Sequence, residues 1–242
     1  MMRTSETFTA QVQPFGETAL LVSVEAASTD RANNIVMALN AEIVRAAIKG
    51  VVSTTPSYDS LLIQFEHKVV SASILKKRVT ESVNRIDPMV SSVGRNWVLP
   101  ACFEGNSVMD REHLEAELSL DWKTIVDQFC SVTYRVNAIG FLPGFTYLGN
   151  LPTALHCSRM DSPRQRIPAS SIAMAGNQAG IYPLDSPGGW RIVGQLPFPI
   201  LRISKREFTL FNPNDRIVFE PVSETTFRDL LSQSIDTIVT SV

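Results

Sequence analysis

Three stretches decide the reading of this chain: GFLPGFTYLG at residues 140–149, SPRQRIPASSIAMAGNQAGIYP at 162–183 and SPGGWRIVG at 186–194. Each sets short apolar runs between glycine and proline turns. Between Gly140 and Pro199 lie 8 of the 12 glycines and 8 of the 14 prolines. Glycine accepts positive φ and close backbone approach, and proline stiffens a turn, so this segment reverses direction repeatedly. Around it, β runs are read at Tyr134–Ile139, Ser171–Ala175, Gly180–Tyr182, Trp190–Val193, Thr209–Phe211 and Arg216–Glu220. Many short strands joined by such turns predict an antiparallel barrel or sandwich. Asp110–Leu118 and Trp122–Phe129 read as short helices, the second capped by Asp121. Ser223–Ile235 reads as a closing helix.

The first ninety residues read differently. Ala19–Val24 is an apolar β run after a Phe15-Gly16 turn. Ser28, Thr29 or Asp30 can cap a helix in which Ile35, Leu39 and Ile43 share one face, and Gly50 ends it. Val51–Thr55 and the alternating Leu61, Ile63 and Phe65 flank a Pro56–Asp59 turn, which predicts a hairpin. Ser71 can cap a second helix carrying Leu75, Val79, Val83 and Ile86. With a further strand near Asn96–Leu99, the order β, α, β, β, α, β predicts a small ferredoxin-like α/β domain over residues 1–90. Residues 86–95 read as a linker, leaving 96–242 as the barrel domain.

Composition excludes several classes. The chain has 242 residues, 44% of them apolar, enough for a sizeable core and too many for a disordered chain. A formal net charge of −2 implies no general attraction to nucleic acid. No apolar run reaches membrane-span length, and MMRTSETFTA lacks the apolar core of a signal peptide. Three cysteines without CxxC spacing argue against a disulfide framework and for a reducing cytoplasm. P-loop, GxGxxG, GxSxG and HExxH motifs are all absent. His156-Cys157 is the only His/Cys neighbour pair, and adjacent residues of an extended segment point to opposite sides. Neither a catalytic dyad nor a metal site is read from the pattern.

Ligand chemistry is read in the Gly/Pro-rich segment. Phe145 and Tyr147, with Phe141, offer apolar walls among glycines. Arg164 and Arg166 sit on a proline-stiffened loop, and their donor forks match planar carboxylate or carbamoyl groups. The segment contains no lysine, so Arg159, Arg164, Arg166 and Arg191 are its only basic side chains. Gln178 can donate and accept, and Trp190 supplies another wall. These six, Arg164, Arg166, Gln178, Phe145, Tyr147 and Trp190, are the candidate substrate-binding residues. No catalytic residue is assigned.

Together the three stretches resemble the family of the 5-oxoprolinase B subunit, also called allophanate hydrolase subunit 1, which includes a sporulation-kinase inhibitor. The likeness extends back through Tyr134–Val136 (YRV) and Tyr58–Phe65 (YDSLLIQF), and forward to Phe211–Val222 (FNPNDRIVFEPV). It covers nearly the whole chain. It implies a cyclophilin-like fold for the barrel domain. It implies work in a complex with two partners, a C-type subunit that is itself a barrel-containing carboxyltransferase-domain protein, and an A-type subunit. That complex opens 5-oxo-L-proline to L-glutamate at the cost of ATP, with no cofactor bound by this chain alone. The alternative it implies is a non-catalytic inhibitor of a sensor histidine kinase, with Pro197, Phe198 and Pro199 as candidate contacts. Neither reading involves nucleic acid or a membrane.

The chain departs from the family pattern at several polar positions. Phe129 stands where members usually carry His. Ser170-Ser171 replaces Gly-Ser, Ala179 replaces Thr, and Gln195 and Leu196 replace Arg and Thr. Losing a His, an Arg and a Thr removes acid/base and anion-binding capacity. This marks a divergent member.

Overall fold

The computed structural model describes residues 7–87, 89–90, 94–202 and 208–239. The first six residues, and positions 88 and 91–93 of the expected linker, lie outside them. Two compact units follow one another, residues 1–93 and 94–242, and the architecture is α+β. Among the described residues no helix is long and apolar enough to cross a membrane.

The first unit runs β1 (Thr9–Pro14), β2 (Ala19–Glu25), α1 (Thr29–Ala46), β3 (Val51–Pro56), β4 (Ser60–Phe65) and α2 (Ala72–Val83). Its sheet is antiparallel in the order β1-β2-β4-β3. Ser28 starts α1 by accepting the Arg31 N–H at 3.2 Å, and Asp30 lies in the first turn, where the helix dipole favours an anion. Ile35, Leu39 and Ile43 are buried with Ala32 and Val36 in one core with Leu20, Val22, Leu61 and Ile63. The helix ends at Ala46, with Ala47 left-handed at φ 44°, short of Gly50. Ser71 caps α2 through the Ile74 N–H, and Leu75, Val79 and Val83 face inward. Buried Asn33 donates to the carbonyls of Ser57 and Tyr58 at 2.9 and 3.0 Å, tying α1 to the hairpin turn.

One expectation is corrected. The strand at Asn96–Leu99 does not complete this sheet. It begins β5 (Asn96–Cys102) of the second unit, where it pairs in parallel with β13 (Arg216–Val222) along seven residue pairs. The fourth strand of the first sheet is β1, an edge strand that buries Val12 alone, so its sequence lacks a strong apolar alternation.

In the second unit β5 is followed by α3 (Arg111–Leu118), α4 (Trp122–Cys130), β6 (Tyr134–Ile139), β7 (Thr146–Gly149), β8 (Arg164–Ile167), β9 (Ser171–Ala175), β10 (Gln178–Ile181), β11 (Ser186–Gly188), β12 (Arg191–Gln195) and β13. Then come α5 (Glu224–Leu230) and α6 (Ile235–Ile238), so the expected closing helix is two short ones. Seven strands close into a barrel in the order β10-β7-β6-β13-β5-β12-β9, and β8 pairs with β11 as a separate ribbon. Closure leaves no open sheet edge in the barrel. Among the described residues Thr209–Phe211 forms no barrel strand; Thr209 makes an isolated bridge to Leu201, and the Leu210 N–H donates to the Ile200 carbonyl.

Aromatic rings fill the barrel. Phe103, Phe129, Tyr134 and Phe219 pack with centroids 5.0–6.5 Å apart. The Tyr134 hydroxyl donates to the Phe129 carbonyl at 2.9 Å. Buried Asp215 accepts from Trp97 Nε1 at 2.8 Å and from the backbone N–H groups of Arg95 and Asn212. Strands β5 and β12 meet only where Gln195 faces Cys102. A Cβ on neighbouring Gly194 would stand 2.7 Å from the Cys102 carbonyl oxygen and 2.8 Å from the Phe103 ring. Gly194→Ala is therefore expected to cost about 1–3 kcal/mol through overpacking of a closed wall. Urea unfolding of the full chain reads this as a lower midpoint; an unchanged midpoint would contradict the close approach.

Candidate functional site

The Gly/Pro-rich segment lines a half-open cavity of about 360 Å³. It is walled by Phe141, Phe145, Tyr147, Tyr182 and Trp190, with Arg159, Met160, Pro163 and Pro187–Gly189 around it. Phe145 sits centrally, 4.7 Å from Tyr147, 4.9 Å from Tyr182 and 5.5 Å from Trp190 between ring centroids. Most of these rings meet edge to face, the arrangement that aromatic quadrupoles favour. Gly180 makes the stack possible. A Cβ there would fall 2.9 Å from Phe145 Cζ and 3.0 Å from Trp190 Cζ3. Phe141 projects at the side of the cavity, 75% exposed, with a left-handed backbone at φ 68°. That conformation costs a bulky residue roughly 1–2 kcal/mol. The Phe145 N–H to the Leu142 carbonyl (3.0 Å) and the Gly140 N–H to the Phe145 carbonyl (3.1 Å) hold the turn.

Burial pushes the Tyr182 phenol up to about 12 and raises that of Tyr147. Both therefore present neutral hydroxyls at physiological pH. Burial likewise pushes the Cys157 thiol up to about 12, while His156 beside it is exposed, so the pair forms no activated nucleophile.

The loops are held by one buried carboxylate. Asp110, at the start of α3, accepts from Arg164 Nη1 and Nη2 at 3.0 and 2.7 Å and from the Ile192 N–H at 2.7 Å. Arg191 Nη1 approaches it at 3.5 Å. Arg191 Nε also donates to the Ser158 carbonyl at 3.3 Å, and Glu117 accepts the Ser158 N–H at 2.7 Å. The Met160 N–H donates to the Gly189 carbonyl at 2.8 Å.

Of the six candidate residues, the structure brings Phe145, Tyr147 and Trp190 together as cavity walls. Arg164 lies behind Met160, whose sulfur it contacts, with its guanidinium committed to Asp110. Arg166 is exposed and pairs with Asp185. Gln178 is half-buried at the β9–β10 turn, opposite Ala175, and does not line the cavity. Tyr182 and Arg159 line it and were not singled out from sequence. Tyr182 read as strand, and Arg159 carries no motif signal beyond its place in a lysine-free segment.

Residues 10–211 match the model of the carboxyltransferase domain, subdomain C and D. The chain belongs to that family. It is 28% identical to the 5-oxoprolinase B subunit of Bacillus subtilis (strain 168), over 88% of this chain and 93% of the relative. It is 30% identical to the 5-oxoprolinase B subunit of Escherichia coli O157:H7, over 86% and 94% respectively. The crystal structure of TTHA0988 aligns with a TM-score of 0.73 at 27% identity, covering 84% of this chain and 39% of that one. The present chain thus spans well under half of that longer protein and nearly the whole of the two B subunits just named. At these identities it is a divergent member of the group of 5-oxoprolinase B subunits.

The departures from the family pattern lie outside the cavity. Phe129 belongs to the barrel's aromatic core. Ser170 takes φ 64°, the conformation that suits the glycine usual there, and its hydroxyl donates to the Phe198 carbonyl at 2.7 Å. Ala179 and Leu196 are buried, and Gln195 donates to the Ala169 carbonyl at 3.0 Å. None of these side chains lines the aromatic walls.

Removing the Asp110 carboxylate strands two arginines that are largely enclosed. Asp110→Ala is expected to lower stability by about 3–5 kcal/mol. Urea unfolding of the full chain measures it; a loss below about 1 kcal/mol would mean the carboxylate is not the anchor described.

Proposed function

We propose that this protein is a cytoplasmic subunit of an ATP-dependent, 5-oxoprolinase-like amide hydrolase that opens 5-oxo-L-proline to L-glutamate with partner subunits. The observation that carries this is the near full-length relationship to proteins named as the B subunit of 5-oxoprolinase. The aromatic cavity supports it as the place where this chain meets a small ligand. At about 360 Å³ it lies at the small end of the roughly 300–1,000 Å³ typical of small-molecule sites. Opening a lactam needs an activated carbonyl and a positioned nucleophile. ATP supplies the activation, and its site is assigned to a partner on the strength of the relationship to proteins named as B subunits of 5-oxoprolinase. The contribution of this chain is to bind the ring, orient it and exclude water. Phe145, Tyr147 and Trp190 form the walls, and Arg164, Arg166 and Gln178 remain candidates for contacts completed in the complex.

The fold reading proposed alongside is a ferredoxin-like domain at 1–90 and a cyclophilin-like barrel at 96–242. The order β1-β2-β4-β3 supports the first, being a ferredoxin-like order with the outer strand contributed from the N-terminal side. The closed barrel supports the second.

Reconstitution tests the activity. The full chain combined with its C-type and A-type partners is expected to release glutamate from 5-oxo-L-proline only when ATP is supplied. Trp190→Ala, checked for folding by circular dichroism, is expected to lower that rate at least about tenfold. A complete, folded complex that turns over neither 5-oxo-L-proline nor a urea-derived amide overturns the assignment.

A further inference from the structure

The four arginines of the lysine-free segment differ in what they face. Arg164 and Arg191 converge on Asp110, and Arg166 pairs with Asp185. Arg159 is exposed at the cavity, its Cζ 5.8 Å from the Trp190 ring centroid. Among the described residues no carboxylate lies within ion-pair distance of it. A guanidinium left over an aromatic face at the mouth of an apolar pocket is poised to meet an incoming anion.

Its backbone is also fixed in advance. Ser158, immediately before it, is held from both sides, its N–H by Glu117 and its carbonyl by Arg191. Met160, immediately after, is bonded to Gly189. Anchoring both neighbours lowers the ordering cost of using this side chain.

We infer that Arg159 is the anion-recognising group of the cavity, and that its ligand is a carboxylate carried on a compact flat ring. This rests on the ligand-pocket reading above and names the residue that selects for charge. One guanidinium without a carboxylate partner, with no lysine in the segment, matches a monoanion; a phosphate dianion would find half its charge unmet. The ring lies against Trp190 and Phe145, where apolar area and edge-to-face contacts reward a planar body. The carboxylate meets the Arg159 fork at the mouth, where it keeps part of its hydration.

Ligand-observed NMR titration of the full chain tests this with two acids, benzoate and 5-oxo-L-proline, against their neutral counterparts, benzamide and 2-pyrrolidone. Each acid is expected to bind at least about tenfold more tightly than its counterpart, with the margin shrinking as salt rises. Arg159→Gln is expected to remove the margin, and Arg159→Lys to keep part of it. Arg228→Gln, a remote surface change on α5, should keep all of it. Urea midpoints confirm that each variant is folded. Neutral probes binding as tightly as acids, a margin that survives Arg159→Gln, or no measurable binding of either acid would each overturn the inference. A reconstituted complex without turnover, beside an intact margin, would overturn the proposed activity and leave this assignment standing. Turnover without any margin would do the reverse.

Discussion

The loops of the second unit depend on the burial of a single charge. The Asp110 side chain is 3% exposed. A carboxylate taken that far from water must be paired and hydrogen-bonded or it destabilises the fold. It meets that requirement with the fork of Arg164, the Ile192 N–H and the nearby Arg191. These partners come from β8 and β12, which are distant in sequence from α3. Two of the walls sit beside them: Trp190 adjoins Arg191, and Met160 lies against Arg164. The same carboxylate sets the charge pattern of the region. It engages two arginines while Asp185 engages a third. That leaves Arg159 as the segment's one cation without a carboxylate among the described residues.

Much of the local structure is legible in the chain. Ser71 and Asp121 are the caps expected, and Ser28 is the one the structure selects from Ser28, Thr29 and Asp30, because short polar side chains compete for orphan N–H groups wherever an apolar helical period begins. Ile35, Leu39 and Ile43 face the core for the same reason of period. What is not legible is pairing. Asn96–Cys102 reads as a strand, yet no local pattern says which sheet it joins, since its partner β13 lies more than a hundred residues away. Strand β1 buries too little to announce itself.

The cavity divides in the same way. Phe145, Tyr147 and Trp190 stand out as aromatics among glycines, and the structure places them together. For the arginines, residue type and loop context point to recognition, but counter-charges assign each one its partner. Asp110 is 54 residues from Arg164 and Asp185 is 19 from Arg166. The role of Arg159 is thus visible only by elimination, once the fold has matched the others. The departures at Phe129, Ser170, Ala179, Gln195 and Leu196 suggest lost chemistry in a linear reading. In three dimensions Phe129, Ala179 and Leu196 lie in the barrel core, Ser170 and Gln195 donate to backbone carbonyls, and none of the five lines the aromatic cavity.

Hydrogen exchange on the Asp110→Asn variant tests most directly whether this carboxylate shapes the cavity. The substitution keeps side-chain size and removes the charge that holds Arg164 and Arg191. Faster exchange is expected at the Ile192 and Met160 amides and along the β8–β11 ribbon, with unchanged protection in β5 and β13, whose long parallel pairing is independent of Asp110. Unchanged exchange at Ile192 and Met160, or a uniform loss of protection across the barrel, would contradict that role of the carboxylate.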